Sequence, residues 1–347
     1  MRYILRNKKN YEQKASTLIL ALWILSFLAV FAVGLAHNVS SQLRLASYFQ
    51  DRLKTRALAY AGVQRAIIQL ILAKDETPNY DSFADEWLSS EETYKEIPLG
   101  DGYFSIGYSV GKGGEEQLGE DMYGLMDESN KININRASVN VLKALLENAG
   151  KANPEEAADI ANAIVDWRDK DVFVSPGGAE DSQYAMGEFP YPCKDDDFQV
   201  IEELLLVKGM TPEIFNRLKD VITVYGSGRI NINTVSARSL MALGISESLA
   251  QRIVDHRRGA DNIEGTEDDN IFESVGDIGK VGSLFTQEAE DVSRLTSLNA
   301  LTVKSDVFRI CSTGILKKGS YEARGRIICV VERKKNEPPS ILYWHEE

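Results

Sequence analysis

The sequence has few of the residues from which most catalytic and metal sites are built. Its 347 residues include only three cysteines and three histidines. Cys193, Cys311 and Cys329 are too few and too far apart for a zinc site of four cysteines, or of two cysteines and two histidines. The sequence also lacks a phosphate-binding loop, a nucleophile elbow and a cysteine–histidine pairing. We therefore expect neither a zinc centre nor an enzyme.

Basic residues are also scarce relative to acidic ones. The chain has 39 Lys plus Arg against 52 Asp plus Glu, a formal net charge of −13. Binding to a phosphate backbone depends on Lys and Arg that displace counterions, so nucleic acid is not an expected partner. The imbalance is local, because residues 127–297 contain 31 acidic and 17 basic residues, a net charge of −14.

One long uncharged run stands out near the N-terminus. Residues 15–36 are 22 consecutive positions without a charge. A helix of that length, at about 1.5 Å per residue, crosses a hydrocarbon core of roughly 30 Å. Five basic residues and one acidic residue precede the run, which places the leader, residues 1–15, in the cytoplasm and the bulk of the chain outside. We predict a single transmembrane helix over residues 16–36.

The helical pattern continues beyond the predicted span. Apolar residues recur at helical spacing at Leu43, Ala46, Phe49, Leu53, Ala57, Ala61, Ile67 and Ile71. This spacing predicts that one long helix continues through residues 37–74 and packs an apolar stripe against other structure.

Strand patterns occur at both ends of the exterior region. The candidate strands are residues 94–99 and 102–110, and then 307–316, 321–333 and 341–344. Antiparallel pairing would join both sets in one sheet, with its first part in residues 75–126, its second part in 301–347 and a helical insertion at 127–300. Cys311 and Cys329 fall on neighbouring predicted strands, where they either form a disulfide or remain buried free thiols.

The insertion contains an internal repeat. Residues 132–138 (ININ-RAS) are echoed by residues 230–236 (ININ-TVS), each followed by two helical patterns and a closing turn, which gives repeats over 131–210 and 229–283. The repeat resembles the tandem helix-hairpin-helix, or SAM-like, module of DNA receptors and repair proteins. Its hairpins lack paired glycines and the region is acidic, so we expect an all-α protein-binding module.

Acidic residues concentrate in a loop after the second helix of each repeat. The candidate ligands are Asp169, Asp171, Glu180, Asp181, Asp195, Asp196 and Asp197 in the first repeat, and Asp261, Glu267, Asp268 and Asp269 in the second. Calcium takes six to eight oxygen ligands in flexible geometry, so two such loops at equivalent places predict calcium binding. Neither loop has the EF-hand spacing, and for each loop a solvated acidic segment is the alternative.

The N-terminal region resembles the type IV pilin and pseudopilin class. It shares the basic leader, a polar junction at residues 14–17, and an apolar helix that runs into an amphipathic one. The resemblance implies cleavage by a prepilin peptidase between Ala15 and Ser16. Leu20 occupies the fifth mature position, where most members of the class carry Glu. An unpaired carboxylate in hydrocarbon is costly, so its absence fits a subunit with no neighbour above it.

The whole layout is similar to the K family of minor pseudopilins of the type II secretion system. The most specific features are residues 166–167 (DW) with 178–181 (GAED), residues 131–135 (KININ), and residues 343–344 (YW). The resemblance implies an α+β fold, a long N-terminal helix with a small antiparallel sheet and a large inserted helical domain that binds calcium. It also implies a protein of the bacterial inner membrane, with its bulk in the periplasm.

The resemblance further implies a place at the tip of the pseudopilus. There the chain would form a complex with the minor pseudopilins I and J, contact other pseudopilins, and initiate and cap the fibre during export across the outer membrane. Two alternatives share parts of the pattern: a membrane-anchored helix-hairpin-helix DNA-uptake receptor and a minor pilin of a type IV pilus.

Overall fold

The structure is a computed structural model that describes residues 2–76, 79–110, 116–186, 189–334 and 337–347. Its α-helices are α1 (Arg2–Glu76), α2 (Glu91–Tyr94), α3 (Val139–Asn148), α4 (Pro154–Arg168), α5 (Asp181–Tyr184), α6 (Pro212–Leu218), α7 (Ala237–Ala242), α8 (Glu247–Arg257) and α9 (Thr286–Ser297). The chain divides into two compact units, residues 1–54 and 55–347. Within the first unit, the side chains described along α1 are exposed up to position 50.

Helix α1 is long and apolar enough to cross a membrane, as the uncharged run predicts. Ala15 and Ser16, the predicted cleavage pair, lie in this helix, and their side chains are outside the described part of the structure.

The strands form an α+β architecture together with these helices. They are β1 (Ile97–Leu99), β2 (Gly102–Val110), β3 (Glu116–Tyr123), β4 (Met126–Asp127), β5 (Ile132–Asn133), β6 (Ile222–Thr223), β7 (Ile230–Asn231), β8 (Leu301–Thr302), β9 (Val307–Lys318), β10 (Tyr321–Glu332) and β11 (Ser340–Glu346). The main sheet is antiparallel, in the order β1-β2-β9-β10-β11, with β3 added to β2 and β4 added to β9. Both predicted hairpins are present, and β2 pairs with β9 across the insertion, as expected.

The register of β9 against β10 shows whether Cys311 and Cys329 can form a disulfide. Cys311 lies opposite Ile328, and Cys329 lies opposite Ile310. Side chains alternate between the two faces of a sheet, so the two thiols point to opposite sides. Cys329 belongs to the core beneath α1 and Cys311 to a small cluster on the other face. Both are buried free thiols, and the disulfide alternative is wrong.

The sheet packs on the outer half of α1 through a face that includes only Ala61 and Ile67 of the predicted stripe. The buried residues of α1 are Leu58, Ala59, Val63, Ala66, Leu70 and Ala73. Ala57 and Ile71 of the predicted stripe are exposed. Apolar residues occur on several faces of this segment, so periodicity alone does not select one. The contact face is rich in small residues, and a Cβ at Gly62 would overlap Ser312, so close approach of helix and sheet determines the choice.

The insertion has its own hydrophobic core, which extends from Ile132 to Leu301 and includes Trp167, Phe198 and Phe272. In each repeat the first short strand is paired in parallel with a strand beyond the predicted repeat end: β5 with β6, and β7 with β8. The repeats therefore close at about residues 223 and 302, later than the predicted ends at 210 and 283. Strands of two residues carry too little periodicity to be predicted from sequence.

The two copies also share their internal hydrogen bonds. Arg168 at the end of α4 donates to the carbonyls of Ile134 and Ala137, and Arg257 at the end of α8 donates to those of Ile232 and Val235. In the first copy, the Asn135 side chain accepts from the Phe198 amide at 2.8 Å and donates to its carbonyl at 2.9 Å.

In the second copy, Asn233 makes the same pair of bonds to Phe272, at 2.9 and 3.0 Å. The internal repeat is therefore structural as well as sequential.

Candidate metal centre

The first acidic loop begins where α4 ends. Asn153 caps the N-terminus of α4, and Asp169 is its C-terminal cap residue. On the last turn of the helix, the fully buried carboxylate of Asp166 accepts hydrogen bonds from the amides of Ser175 (3.1 Å) and Ala179 (2.9 Å). These bonds fold the following loop back over the end of the helix. Gly178 makes the turn possible, because a Cβ there would overlap Asp166 Oδ2.

The loop brings carboxylates from distant positions together. One oxygen from each of Asp169, Asp171 and Glu180 lies within 4.8 Å of the other two. A second group, made of Glu180, Cys193 and Asp195, meets the same limit. Glu180 belongs to both groups and is 4% exposed. Both groups thus form a single cluster around one buried carboxylate.

Several oxygens of this cluster lack a protein partner. Asp166 Oδ1, Asp169 Oδ1, Glu180 Oε1 and Asp195 Oδ1 are buried and accept no hydrogen bond from the described part of the chain. A buried polar atom without a partner costs about 1–3 kcal/mol, and more if it is charged. Asp169, Glu180 and Asp195 belong to the cluster, and Asp166 is near enough for its charge to act on Asp169 and Glu180. A bound cation would satisfy such oxygens.

The electrostatics of the cluster point the same way. Burial raises the pKa of Asp169, and the nearby charges of Asp171, Asp166 and Asp195 raise it further. Burial likewise raises the pKa of Glu180, and Asp166, Asp195 and Asp169 add to the effect. Without a cation these carboxylates repel one another. A divalent ion would remove the repulsion and favour their ionised forms.

The donor set fits calcium. Asp166, Asp169, Asp171, Glu180 and Asp195 together offer oxygens from five carboxylates, and calcium takes six to eight oxygens, with water completing the shell. Asp166 is missing from the predicted ligands, although its spacing of three from Asp169 places both on one helix face.

The remaining predicted residues of the first loop bind protein groups. Asp181 accepts a hydrogen bond of 2.7 Å from the amide of Cys193, which holds that residue beside the cluster. Asp196 accepts from the amide of Asp197, and Asp197 forms an ion pair of 2.7 Å with Arg136. These three acids shape the loop around the cluster.

The second acidic loop has a different arrangement. Asp268 Oδ2 accepts from the amides of Ala260 (2.6 Å) and Asp261 (3.1 Å), and Asp269 Oδ2 accepts from that of Gly265 (2.7 Å). Asp261 accepts from the amide of Ile263, and Glu267 is exposed. The loop closes on its own backbone, and a calcium role for Asp261, Glu267, Asp268 and Asp269 stays a prediction.

The chain is similar to known proteins in the region that contains the acidic cluster. Residues 121–227, which contain the acidic cluster, match the family model described as type II secretion system, protein K. Proteins named type II secretion system protein K are also similar to the chain. The one from Klebsiella pneumoniae is 22% identical over 238 residues, 65% of this chain and 68% of that protein. The one from Aeromonas hydrophila is 26% identical over 237 residues, with the same two shares.

The protein of that name from Pectobacterium carotovorum subsp. carotovorum is 33% identical over a shorter stretch of 125 residues, 34% of this chain and 38% of that protein. Among solved structures, a chain in the crystal structure of the GspK–GspI–GspJ complex from enterotoxigenic Escherichia coli superposes with a TM-score of 0.63. The match covers 88% of this chain and 99% of that one at 19% identity. At that identity the likeness concerns the fold.

The matched segment contains residues 131–135, 166–167 and 178–181 of the resemblance, and residues 343–344 lie outside it. The chain is thus similar to type II secretion system protein K, over residues 121–227 by the family model and over about two thirds of its length by these relatives.

Proposed function

We propose that this chain is the minor pseudopilin at the tip of the type II secretion pseudopilus, where it joins the I and J minor pseudopilins of its own system to start and cap the fibre. The observation that carries the proposal is the family match, together with a fold like that of a chain crystallised in a GspK–GspI–GspJ complex. The role is structural and needs no catalytic residue.

The position of the insertion supports a place at the tip. Strands β4 and β9 pair directly, Met126 with Arg309 and Asp127 with Phe308. The chain therefore leaves and re-enters the sheet at one point, and the domain between is larger than the sheet that carries it. Such a domain would obstruct another pilin-like subunit beyond it, as a cap requires.

The outer half of α1 supports assembly with partner helices. One face of this segment is buried against the sheet, while Ile68, Ile71 and Leu72 are 53%, 44% and 53% exposed. Exposed apolar residues clustered on one helix indicate a protein interface. We assign this face to contacts with the helices of I, J and the subunits below. Before assembly, the prepilin peptidase would cut between Ala15 and Ser16. The subunit would then be held in the inner membrane, with its bulk in the periplasm.

Calcium would stabilise the insertion in this role. The carboxylates of the acidic cluster would hold the ion and fix the loop over the end of α4. We read the two repeats as a helix-hairpin-helix module that binds protein. The DNA-receptor alternative is not favoured by the family match, and the net charge of −14 over residues 127–297 opposes a phosphate partner.

Co-purification tests the proposal. The full chain is expressed with the I and J proteins of the same system and purified in detergent through a tag on this chain. We expect both partners to be retained, and Leu72→Glu to release them because it places a charge in an apolar interface. Ile263→Glu is the matched control, since Ile263 is 58% exposed and belongs to the second acidic loop rather than to α1.

If Leu72→Glu still retains I and J, the exposed face of α1 is not their binding surface. Failure of the native chain to retain either partner would overturn the tip complex itself. Retardation of duplex DNA by the purified chain at low salt would favour the receptor instead.

A further inference from the structure

The acidic cluster carries a feature that calcium does not use. Cys193 is 5% exposed, and its sulfur lies within 4.8 Å of ligand oxygens of Glu180 and Asp195. Its amide is held by Asp181, and its thiol donates a weak hydrogen bond of 3.6 Å to the carbonyl of Asp166. The thiol is therefore fixed inside the cluster, although Cys193 is 13 residues from Glu180 in sequence.

The cluster has two faces that share Glu180. The oxygen face consists of Asp169, Asp171 and Glu180, and the thiol face of Glu180, Cys193 and Asp195. Each face contains a buried oxygen without a protein partner among the described residues, and Glu180 Oε1 belongs to a side chain more than nine-tenths buried. Calcium is a hard cation that binds oxygen, so it gains nothing from the sulfur.

We propose that the thiol face binds a thiophilic divalent cation of the zinc and cadmium class, through Cys193 sulfur and the carboxylates of Glu180 and Asp195. Zinc binds cysteine sulfur at about 2.3 Å and carboxylate oxygen at about 2.0–2.2 Å, and thiolate ligands select such ions over calcium. On binding, the S–H bond of Cys193 breaks, its electron pair forms the bond to the metal, and one proton leaves for solvent. No atom changes oxidation state.

This proposal rests on the same cluster as the calcium site and makes a further claim. Both ions need Glu180, so they compete. Calcium would favour the oxygen face, and a thiophilic ion would pull Glu180 toward Cys193 and leave Asp171 free. The centre would then respond to trace metals as well as to calcium.

Cadmium is the probe, because a cadmium–thiolate bond absorbs in the near ultraviolet. The full chain, reduced and free of calcium in detergent, is titrated with Cd²⁺ while absorbance and proton release are followed. We expect one saturable equivalent of the charge-transfer band with one thiol proton released, and a shift of the titration to higher Cd²⁺ when calcium is present. Absence of the band from the native chain would overturn the proposal.

Variants separate the two faces. Cys193→Ser should abolish the band and keep the stabilisation by calcium. Asp171→Asn should keep the band and lose the stabilisation by calcium. If calcium does not stabilise the native chain either, that result counts against the calcium site and leaves the thiol face untouched. Cys311→Ala is the matched control, because Cys311 is a buried thiol in the sheet, and it should leave the band unchanged.

A band that persists in Cys193→Ser would contradict the assignment. If Cys193→Ser does not fold, the ¹¹³Cd resonance of the native chain decides the matter, because its position distinguishes sulfur from all-oxygen ligation. A resonance in the all-oxygen range would overturn the thiol face.

Discussion

Asp127 and Ser305 lie 178 residues apart in the chain, and the Ser305 hydroxyl donates a buried hydrogen bond of 2.5 Å to Asp127 Oδ2. The same oxygen accepts a bond of 2.5 Å from the hydroxyl of Thr234, which opens the second repeat. Asp127 ends β4, and Ser305 lies two residues before the start of β9. One carboxylate thus joins the sheet, the repeat and the returning chain.

This junction makes stability depend on pH. Burial raises the pKa of Asp127 from 3.8 to about 6, against the lowering effect of its hydrogen bonds from Ser305, Thr234 and Ser129. Because the folded pKa is above the unfolded one, stability is greatest below about pH 4 for this group and is lost as the pH rises through 6. The full effect is on the order of 2–3 kcal/mol.

We expect the thermal midpoint of the calcium-free chain in detergent to rise between pH 7 and pH 5. Asp127→Asn, which cannot ionise, should flatten that rise relative to the native chain. Asp85→Asn is the variant for comparison. Burial raises the pKa of Asp85 to about 6 as well, so this variant measures the share of the pH slope that comes from Asp85. An unchanged pH slope in Asp127→Asn would show that the junction does not titrate in this range.

The acidic cluster predicts a second, calcium-dependent effect. An ion that binds only the folded state, and whose free concentration is one hundred times its Kd, stabilises the folded protein by about 2.7 kcal/mol. We expect calcium to raise the midpoint of the native chain and a chelator to reverse the rise. In Asp169→Asn the rise should be lost while the calcium-free midpoint holds or increases, because one repelling charge is gone. Differential scanning calorimetry in detergent measures both.

Asp268→Asn is the control from the second loop. Its carboxylate binds the amides of Ala260 and Asp261, so the variant should lower the midpoint equally with and without calcium. A loss confined to the calcium-loaded chain would instead make the second loop a calcium site, as its sequence predicts.

The sequence predicts elements better than contacts in this molecule. The transmembrane run, both hairpins and the repeat all have strong local periodicity, and the structure contains each as an element. The packing face of α1 is predicted only in part, at Ala61 and Ile67, because several faces are apolar and the choice depends on small residues that meet the sheet. The disulfide alternative could not be decided from sequence either, because it depends on the register of β9 against β10, which the strand patterns do not give.

The candidate site shows the same division. Asp169, Asp171, Glu180 and Asp195 were expected from charge density alone. Cys193 has no signal, because its approach to Glu180 is a tertiary contact that the sequence does not show. Spacing could have found Asp166, which lies on the same helix face as Asp169. Sequence thus shows where the acids concentrate, and tertiary folding selects which of them face one another.

Gly178 offers a backbone test of the cluster. A Cβ at this position would overlap Asp166 Oδ2 and lies 3.2 Å from the Ser175 carbonyl. Gly178→Ala should therefore push Asp166 out of place, lower stability by about 1–3 kcal/mol and weaken calcium binding by calorimetry. Gly276→Ala is the matched control, because its Cβ would meet only Ser274 Oγ at 3.6 Å. Normal calcium binding by Gly178→Ala would separate Asp166 from the ion.

The equivalent arginines of the two repeats provide the last prediction. Arg257 is 4% exposed, donates to the carbonyls of Ile232 and Val235 at 2.8 Å, and pairs with Glu264 at 2.6 Å. Arg257→Met keeps the length of the side chain, removes the donor to two carbonyls and leaves Glu264 with the longer pair of 3.8 Å to Arg258, so we expect a loss of about 3–5 kcal/mol.

Arg168→Met should cost less, about 1–3 kcal/mol, because Arg168 is only partly buried and makes no ion pair in the described structure. Denaturant unfolding of the full chain in detergent measures both variants. Equal losses would mean that the carbonyl bonds common to the two repeats, rather than the ion pair of the second, determine the stability of the insertion.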